Sequence, residues 1–250
     1  MPSFEREHLN LNYIDEGPVS GQAVLLVHGF ASSIKFNWID PGWIETLTGA
    51  GYRTIAFDHR GHGASDKPTD EAAYTPTKMA EDAFGLLDHL DVKSTVFFGY
   101  SMGARVCAFA ALARPETIDK LILGGLGYGL VSGVGDWDPI AKALRAPSID
   151  DVDDPRGQMF RAFADRTKSD REALAACIAH SRQELTEEDV GRIEAQTLIG
   201  VGSKDEIAGS PDRLAALMPK AQALTIPNRD HMLAVGDKAF KSAVLEFLLT

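Results

Sequence analysis

Cysteine is scarce in this chain of 250 residues, which contains only Cys107 and Cys177. Two cysteines cannot form a disulfide framework or a thiolate metal site. Long apolar runs are also missing. The richest stretch, residues 96–113, is interrupted by Ser101 and Arg105, so no membrane-spanning segment is predicted. The first residues are polar and contain no apolar signal-peptide core, so we expect a cytoplasmic protein.

Positive charge is likewise in short supply. The chain carries 25 Lys and Arg residues against 36 Asp and Glu residues, a formal net charge of −11. No Lys/Arg cluster is visible along the sequence, which argues against nucleic acid, an anionic membrane or a highly charged substrate as the main partner. We therefore expect a small molecule as the main partner. No metal or organic cofactor is implied, and the oligomeric state stays open.

Apolar runs alternate with amphipathic helical patterns along most of the chain. The apolar runs suit strands buried on both faces and lie at 23–27, 53–57, 95–98, 120–123, 196–201 and 223–226. The helical patterns lie at 43–50, 77–90, 102–113, 211–218 and 238–249. Because such an alternation needs crossover connections, it predicts an α/β fold with a mostly parallel sheet and helices on both faces. The first residues, through Asp15, alternate loosely and predict an antiparallel hairpin at the edge of the sheet.

One segment of the chain lacks strand-like runs. Residues 128–190 show three or so amphipathic helical stretches, and six glycines lie within residues 124–135. We expect an α/β core formed by residues 1–127 and 191–250, with residues 128–190 as a helical lid. Insertions at the carboxyl end of a parallel sheet lie where ligands bind. Because the glycine-rich start lacks side chains that would lock the lid, we expect the lid to open and close.

The strongest chemical signal is Gly99-Tyr100-Ser101-Met102-Gly103, between an apolar strand and a small, apolar helix. A strand that reverses into a helix at one residue strains that residue and exposes its side chain above the sheet. Glycines two positions to either side remove Cβ atoms that would collide at this bend. The free N–H groups at the start of the helix favour a developing anion. The pattern predicts that Ser101 is a nucleophile.

A serine hydroxyl needs a base to remove its proton and an acid to orient that base. Among the seven histidines, His231 follows the last predicted strand, at the same edge of the sheet as Ser101. Asp205 follows the preceding strand and is the predicted orienting acid. Asp230 is a weaker candidate because side chains adjacent in sequence seldom face each other, and Glu206 lies one residue further into its loop.

With Ser101, Asp205 and His231 in this chain order, the sequence resembles the α/β-hydrolase family, in its serine esterase, lactonase and haloperoxidase-like branch. The resemblance covers essentially the whole chain. It implies a mostly parallel, eight-stranded sheet with helices on both faces and a small helical lid. It also implies that the three residues form a catalytic triad.

Two loops support this resemblance. Residues 28–30, His-Gly-Phe, are similar to the family's oxyanion loop, which implies that the backbone N–H groups of Phe30 and Met102 hold the oxyanion. Residues 58–65 are similar to the loop after the fourth strand in esterase-like members. We interpret Asp58, His59 and Arg60, which begin this second loop, as structural residues. We interpret His28 of the oxyanion loop in the same way.

Departures from relatives narrow the expected reaction. Relatives that resemble epoxide hydrolases and haloalkane dehalogenases place an aspartate at the position of Ser101. Epoxide hydrolases also use two lid tyrosines, whereas residues 128–190 contain only Tyr128. Haloalkane dehalogenases use a tryptophan at the position of Met102. We expect instead a serine hydrolase that cleaves a small carboxylic ester or lactone through an acyl-enzyme. Its modest apolar pocket is predicted to involve Tyr100, Tyr128, Leu130 and Trp137.

Three alternatives stay open at this stage. C–C bond hydrolysis of a diketo acid and a perhydrolase or haloperoxidase-like activity would use the same three side chains. The fold also serves as a ligand receptor or an interaction scaffold, since fold does not imply function. Turnover of a short-chain aryl ester separates an enzyme from a receptor or scaffold.

Overall fold

A computed structural model describes all residues of the chain, 1–250. The strands are β1 (Ser3–Arg6), β2 (Leu9–Glu16), β3 (Ala23–Val27), β4 (Arg53–Phe57), β5 (Thr95–Tyr100), β6 (Ile118–Gly124), β7 (Gln196–Gly202) and β8 (Ala221–Ile226). Their order in the single sheet is β1-β2-β4-β3-β5-β6-β7-β8. Strands β3 to β8 run parallel, whereas β1 and β2 form an antiparallel hairpin at one edge. The expected parallel sheet with an edge hairpin is confirmed.

Helices connect the strands. They are α1 (Trp43–Gly49), α2 (Pro76–His89), α3 (Met102–Ala113), α4 (Gly129–Ser132), α5 (Asp138–Arg145), α6 (Pro155–Thr167), α7 (Arg171–His180), α8 (Glu187–Gly191), α9 (Pro211–Ala215) and α10 (Lys238–Leu249). Helix α9 is shorter than the predicted 211–218. The residues that follow it form hydrogen bonds between groups three residues apart, as in a 3₁₀ turn, and Pro219 then ends the helical stretch. No helix is both long and apolar enough to cross a membrane.

The central strands pack against two apolar layers, one on each face of the sheet. Every residue of β5 is buried. On one face, Phe98 packs against Trp43 of α1 and Phe240 of α10, with ring centroids 4.7 and 5.7 Å away. On the other face, Phe97 packs against Phe84 of α2 at 6.1 Å. Each fully buried ring of this size contributes about 2–3 kcal/mol through burial, so the sheet forms a rigid base for its loops.

The strand order brings three distant loops to one edge. Because β5, β7 and β8 are parallel, their carboxyl ends lie at the same side of the sheet, and only β6 separates β5 from β7. Ser101 follows β5, Asp205 lies in the loop after β7, and His231 lies in the loop after β8. Ligands of open α/β sheets bind at this edge.

The chain between β6 and β7 contains α4 to α8 and no strand. Its helices form an apolar cluster of their own, in which Trp137, Leu144 and Leu174 pack together with Ala31 from the loop after β3. This segment therefore packs on the edge of the sheet that carries Ser101.

Arg105 corrects the expectation that nothing locks the start of this segment. From α3, its guanidinium donates hydrogen bonds to the backbone carbonyls of Gly129 at 3.1 Å, Leu130 at 3.4 Å and Gln183 at 2.8 Å. The Arg105 residue is only 3% exposed. One side chain of the core thus ties the beginning of the segment to its end, which the glycine-rich sequence alone does not reveal.

Candidate active site

Ser101 lies at a sharp turn between β5 and α3. Its backbone adopts φ 54° and ψ −112°, a conformation that residues other than glycine rarely adopt. A Cβ atom at Gly103 would collide with the carbonyl of Val27 in β3, and one at Gly99 would collide with the carbonyl of Gly103. These glycines let α3 begin directly against the sheet, which explains the spacing of the sequence motif.

A chain of hydrogen bonds joins three side chains at this edge. His231 Nε2 lies 2.9 Å from Ser101 Oγ, and His231 Nδ1 lies 2.7 Å from Asp205 Oδ2. The carboxylate side chain is fully buried, and the imidazole side chain is 13% exposed. A carboxylate that accepts a hydrogen bond from Nδ1–H leaves Nε2 free to accept a proton from the serine hydroxyl. The structure thus brings together the three residues singled out in the sequence.

Separate contacts hold the two partner loops. Asp205 Oδ1 accepts hydrogen bonds from the N–H groups of Ile207 and Ala208 at 2.9 and 3.0 Å, which leaves Oδ2 for the imidazole. The Tyr100 hydroxyl donates to the carbonyl of His231 at 2.6 Å. Hydrogen bonds within the protein therefore hold both loops in place before any substrate binds.

Asp230, the weaker candidate, has a different position. Its Oδ1 accepts hydrogen bonds from the N–H groups of Met232 and Leu233 at 3.0 and 2.8 Å. Asp230 therefore caps the turn that carries His231 and leaves the imidazole to Asp205.

The loop after β3 presents a free N–H group at Phe30. Gly29 N–H donates to Asn37 Oδ1 at 3.0 Å, and Ala31 N–H donates to His62 Nε2 at 3.1 Å. The intervening Phe30 N–H has no acceptor within the chain. The loop is therefore held on both sides of the Phe30 N–H, which is free to bind a ligand.

A second free donor lies at the start of α3. Met102 is the first residue of the helix, so its N–H has no intrahelical acceptor. Met102 and Phe30 line the same small cavity as Ser101. Two N–H groups on the same side of the serine are the arrangement that an oxyanion requires.

Three buried histidines support the loop after β3. His28 Nδ1 lies 2.7 Å from the carbonyl of Gly29, and His62 Nδ1 lies 3.0 Å from the carbonyl of Arg60. Burial lowers the pKa of His28 to about 4 and that of His62 to about 3, and it lowers the pKa of His59 well below the ordinary value of 6.5. All three rings are therefore neutral at neutral pH.

Two cavities meet at Ser101. The larger has a volume of about 650 Å³ and is mainly apolar, with walls that include Phe36, Trp137, Phe160, Phe163, Met232 and Val235. The smaller has a volume of about 30 Å³, and its walls include Phe30, Met102, Arg105, Trp137, Ser181 and Arg182. Since Ser101, Phe30 and Trp137 line both, a substrate at the serine can extend into either.

The structure corrects half of the predicted pocket. Tyr100 lines the larger cavity and Trp137 lines both. Tyr128 lines neither, and its hydroxyl donates to Glu187 Oε1 at 2.6 Å. Leu130 is fully buried in the apolar core. Both residues lie away from the cavities because the short helix α4 packs directly on the core.

Three further residues line the cavities. Arg105 stands four residues after Ser101 on α3, and this spacing, which places both on one side of a helix, was available in the sequence. Arg182 and Asn37 have no comparable signal. Asn37 Nδ2 is buried without a hydrogen-bond partner beside the larger cavity.

No group of three or more His, Cys, Asp or Glu side chains is arranged to hold a metal ion.

Comparison with known proteins identifies the family. A family model described as the alpha/beta hydrolase fold matches residues 22–176, which is more than half of the chain. This protein belongs to the α/β-hydrolase family. The resemblance seen in the sequence is confirmed at this level.

Individual relatives agree on the fold of this α/β hydrolase. An epoxide hydrolase of Caballeronia sordidicola is 39% identical over 116 residues, which cover 46% of this chain and 33% of the relative. The chain spans about a third to two fifths of the length of such curated relatives. A hydrolase from Pseudomonas aeruginosa PA01 superposes with a TM-score of 0.84 at 26% identity, covering 100% of this chain and 98% of the other. An enol-lactonase from Burkholderia xenovorans LB400 gives 0.80 at 22% identity, with 100% of both chains covered.

Proposed function

We propose that this α/β hydrolase is a serine hydrolase that cleaves a small carboxylic ester or lactone through an acyl-enzyme. The observation that carries the proposal is the chain of hydrogen bonds from Ser101 through His231 to Asp205, where two cavities meet. A nucleophile, a base and an orienting acid in hydrogen-bond contact are what acyl transfer needs.

The first step forms the acyl-enzyme. Ser101 Oγ attacks the carbonyl carbon of the substrate while its proton passes to His231 Nε2. Asp205 accepts the hydrogen bond from Nδ1 and stabilises the imidazolium. The N–H groups of Phe30 and Met102 bind the oxyanion, and each donor of this kind lowers the barrier by roughly 3 kcal/mol.

The acyl-enzyme is complete when the leaving group departs, and water then releases the acid. The tetrahedral intermediate collapses, the C–O bond breaks, and His231 gives its proton to the departing oxygen. Water then attacks the acyl carbon as His231 Nε2 takes one of its protons. When the C–O bond to Ser101 breaks, the serine oxygen regains a proton from the imidazolium. An ester yields an acid and an alcohol, and a lactone yields a single hydroxy acid.

We assign substrate selection to residues 128–190 as a lid over a core formed by residues 1–127 and 191–250. The reacting groups all come from the core, whereas much of the opposite wall comes from α6. Phe160 of α6 packs against Phe30 of the core with ring centroids 5.5 Å apart. Changes in this wall therefore alter which acyl or alcohol group fits without displacing the reacting groups.

C–C bond hydrolysis of a diketo acid is the second candidate. The observation that favours it is the presence of Arg105 and Arg182 in the wall of the smaller cavity, since a diketo acid is an anion. A meta-cleavage product hydrolase superposes with a TM-score of 0.79 at 24% identity, covering 99% of this chain and 97% of the other, which shows the shared fold. Turnover of a meta-cleavage product, followed by loss of its visible absorbance, separates this activity from ester hydrolysis.

Two measurements test the ester-hydrolase proposal. The wild-type protein should turn over 4-nitrophenyl butanoate, and a fluorophosphonate should add one label, on Ser101. Ser101→Ala should lower kcat by a factor on the order of 10⁴ or more. Its melting temperature should stay nearly unchanged, because the serine hydroxyl contributes little packing.

Ser32 is the internal control for labelling. It lines the larger cavity but has no imidazole partner, so it should remain unlabelled. Label on Ser32, or turnover retained by Ser101→Ala, would show that the nucleophile is misassigned. Tight ligand binding without turnover of any ester in the panel would favour a receptor or scaffold.

A further inference from the structure

Two arginines that are far apart in the sequence, Arg105 and Arg182, line the small cavity beside Ser101, and a third, Arg156, stacks on Trp137 in the wall of that cavity. Arg105 lies on α3, Arg156 lies on α6, and Arg182 follows α7. None of the three forms an ion pair within 4.0 Å, whereas Arg60, for example, holds the Asp82 carboxylate at 2.6 Å. Arg105 is buried, and arginines are seldom buried without an anionic partner.

Two of these guanidinium groups stack near the indole of Trp137. The Cζ atoms of Arg156 and Arg182 lie 4.6 and 4.8 Å from its ring centroid. The indole Nε1, together with Nε and Nη2 of Arg156, is buried with no hydrogen-bond acceptor. Several unsatisfied buried donors in one place are uncommon in folded proteins and call for a ligand or ion.

The smaller cavity gathers the remaining donors. Arg105, Ser181 and Arg182 line it together with Ser101. Ser181 is fully buried, and its hydroxyl, which contacts the Cys177 thiol, has no stronger hydrogen-bond partner. Arg182 uses Nε and Nη1 to donate to backbone carbonyls at 3.2 and 3.4 Å, so its Nη2 has no acceptor in the chain. The polar side of this cavity therefore carries donors in excess of acceptors and no carboxylate.

The charge of the cluster is also unbalanced. Burial, and then the neighbouring Arg182, lowers the pKa of Arg105 to about 10. Burial, and then Arg156, lowers the pKa of Arg182 to about 10. Both groups remain cations at neutral pH, and carboxylates such as Glu184 oppose this repulsion only from beyond ion-pair distance. An anion placed between them relieves the repulsion.

We propose that the smaller cavity is a carboxylate-binding subsite and that the substrate is an ester or lactone that carries a carboxylate near the scissile bond. A volume of about 30 Å³ admits a head group of a few atoms, while the larger cavity takes an apolar remainder. Arginine binds a carboxylate with two parallel hydrogen bonds. The inference rests on the proposed function, since it assumes that Ser101 attacks a bond placed between the two cavities.

Two matched pairs of esters test the subsite. The monoester of 4-nitrophenol with adipic acid differs from 4-nitrophenyl hexanoate by a terminal carboxylate on the acyl side. The esters 4-carboxyphenyl butanoate and phenyl butanoate place the same difference on the leaving group. The wild-type protein should prefer the anionic member of at least one pair by about tenfold or more in kcat/KM. A net charge of −11 repels anions, so such a preference needs a local source.

Arg182→Gln should lower kcat/KM for the anionic ester by about 10- to 100-fold and for the neutral ester by less than about threefold. Ser181→Ala should act in the same direction with a smaller effect, and Arg182→Lys should recover part of the loss. Arg213→Gln is the matched control. Arg213 also lacks an ion pair, but it stacks on Tyr128 at 3.6 Å and lines neither cavity, so this variant should keep the wild-type ratio.

Adipate binding supplies a readout that does not depend on turnover. Calorimetry with Ser101→Ala should detect adipate binding, and adding Arg182→Gln should weaken it about tenfold or more. Absence of adipate binding, equal kcat/KM within both pairs, or an Arg182→Gln variant that only lowers the melting temperature overturns the subsite. If no ester is hydrolysed and Ser101 takes no label while adipate still binds through Arg182, the proposed function fails and the carboxylate subsite stands.

Discussion

The two walls around Ser101 differ in how their polar groups are satisfied. On the core wall, Asp205 and His231 are fixed by hydrogen bonds to one another, Asp205 also by N–H groups of its own loop and His231 also by the hydroxyl of Tyr100. On the wall from the helical segment, donors of Trp137 and Arg156 are buried without acceptors. The loops of Asp205 and His231 are thus organised before a substrate arrives, whereas the helical wall contains buried donors with no acceptor in the chain.

This difference suggests a division of work. Groups that carry out chemistry act best when their neighbours already hold them in place, since no reorganisation is then needed during the reaction. Buried donors without acceptors each cost about 1–3 kcal/mol of stability. The helical segment bears that cost where our proposals place substrate selection, whereas the side chains of Asp205 and His231, which we propose for catalysis, avoid it.

The largest expected effect is a loss of kcat when Asp205 on the core wall is replaced. Asp205→Asn keeps an oxygen for the two backbone N–H groups but places an NH₂ group against His231 Nδ1. The imidazole must then carry its proton on Nε2, where it cannot accept the serine proton. We expect kcat to fall by about 10³- to 10⁴-fold with little change in KM, measured on 4-nitrophenyl butanoate.

Asp230→Asn is the matched control for that variant. Asp230 caps a turn through Oδ1 alone, and an asparagine can cap it in the same way. We expect a change in kcat of less than about threefold. A larger loss for Asp230→Asn than for Asp205→Asn would move the orienting role to Asp230.

The next effect concerns the buried histidines behind the core wall. Their pKa values in the folded protein lie below the ordinary value of 6.5, at about 4 for His28 and about 3 for His62. The unfolded chain therefore binds protons that the folded chain does not as the pH falls below 6.5. Stability present above pH 6.5 should be lost toward pH 4, by about 1.4 kcal/mol per pH unit for each histidine. Urea unfolding over this pH range measures the slope.

Two leucine variants compare how much stability is lost when one of these histidine rings is replaced. His59→Leu removes a ring whose two nitrogens have no partner, so it should cost little stability at neutral pH and flatten the acid slope. His62→Leu leaves Ala31 N–H and the Arg60 carbonyl unpaired, which should cost about 1–3 kcal/mol for each group. Equal losses in the two variants would contradict this account.

The smallest effect is expected on the helical wall. Phe163→Ala enlarges the larger cavity, and it should shift the relative kcat/KM for 4-nitrophenyl butanoate and decanoate by about 1–2 kcal/mol. Phe247→Ala removes a buried ring of α10 from the apolar core. That control should lower stability by about 3–5 kcal/mol without reordering the substrates. An unchanged ranking in Phe163→Ala would place selectivity in the core wall instead.

Much of the fold follows from local patterns. The apolar runs at 23–27 and 53–57 match β3 and β4 in full, and the pattern at 102–113 matches α3. Such patterns are local because the burial of a strand or a helix face repeats every few residues. The expected positions of Asp205 and His231 come from the same source, since each follows a strand that ends at one edge of a parallel sheet.

The positions of other site residues depend on packing between distant segments. Tyr128 and Leu130 occur in the predicted lid, but the short α4 turns them toward the surface and the core. Arg182 reaches Ser101 only because the chain returns to the core after α7. No periodicity encodes such a return, which depends on how the helices between β6 and β7 pack against one another.

The sequence by itself determined the α/β architecture, the serine at the strand–helix turn, and the order of Ser101, Asp205 and His231, because these depend on local backbone preference and on strand polarity. Only the tertiary structure decided which donors surround the serine. Arg105, Arg156 and Arg182 form no cluster along the chain, and a net charge of −11 conceals them. Their convergence arises from non-local packing, in which a few buried and half-buried cations create a positive site that overall composition does not predict.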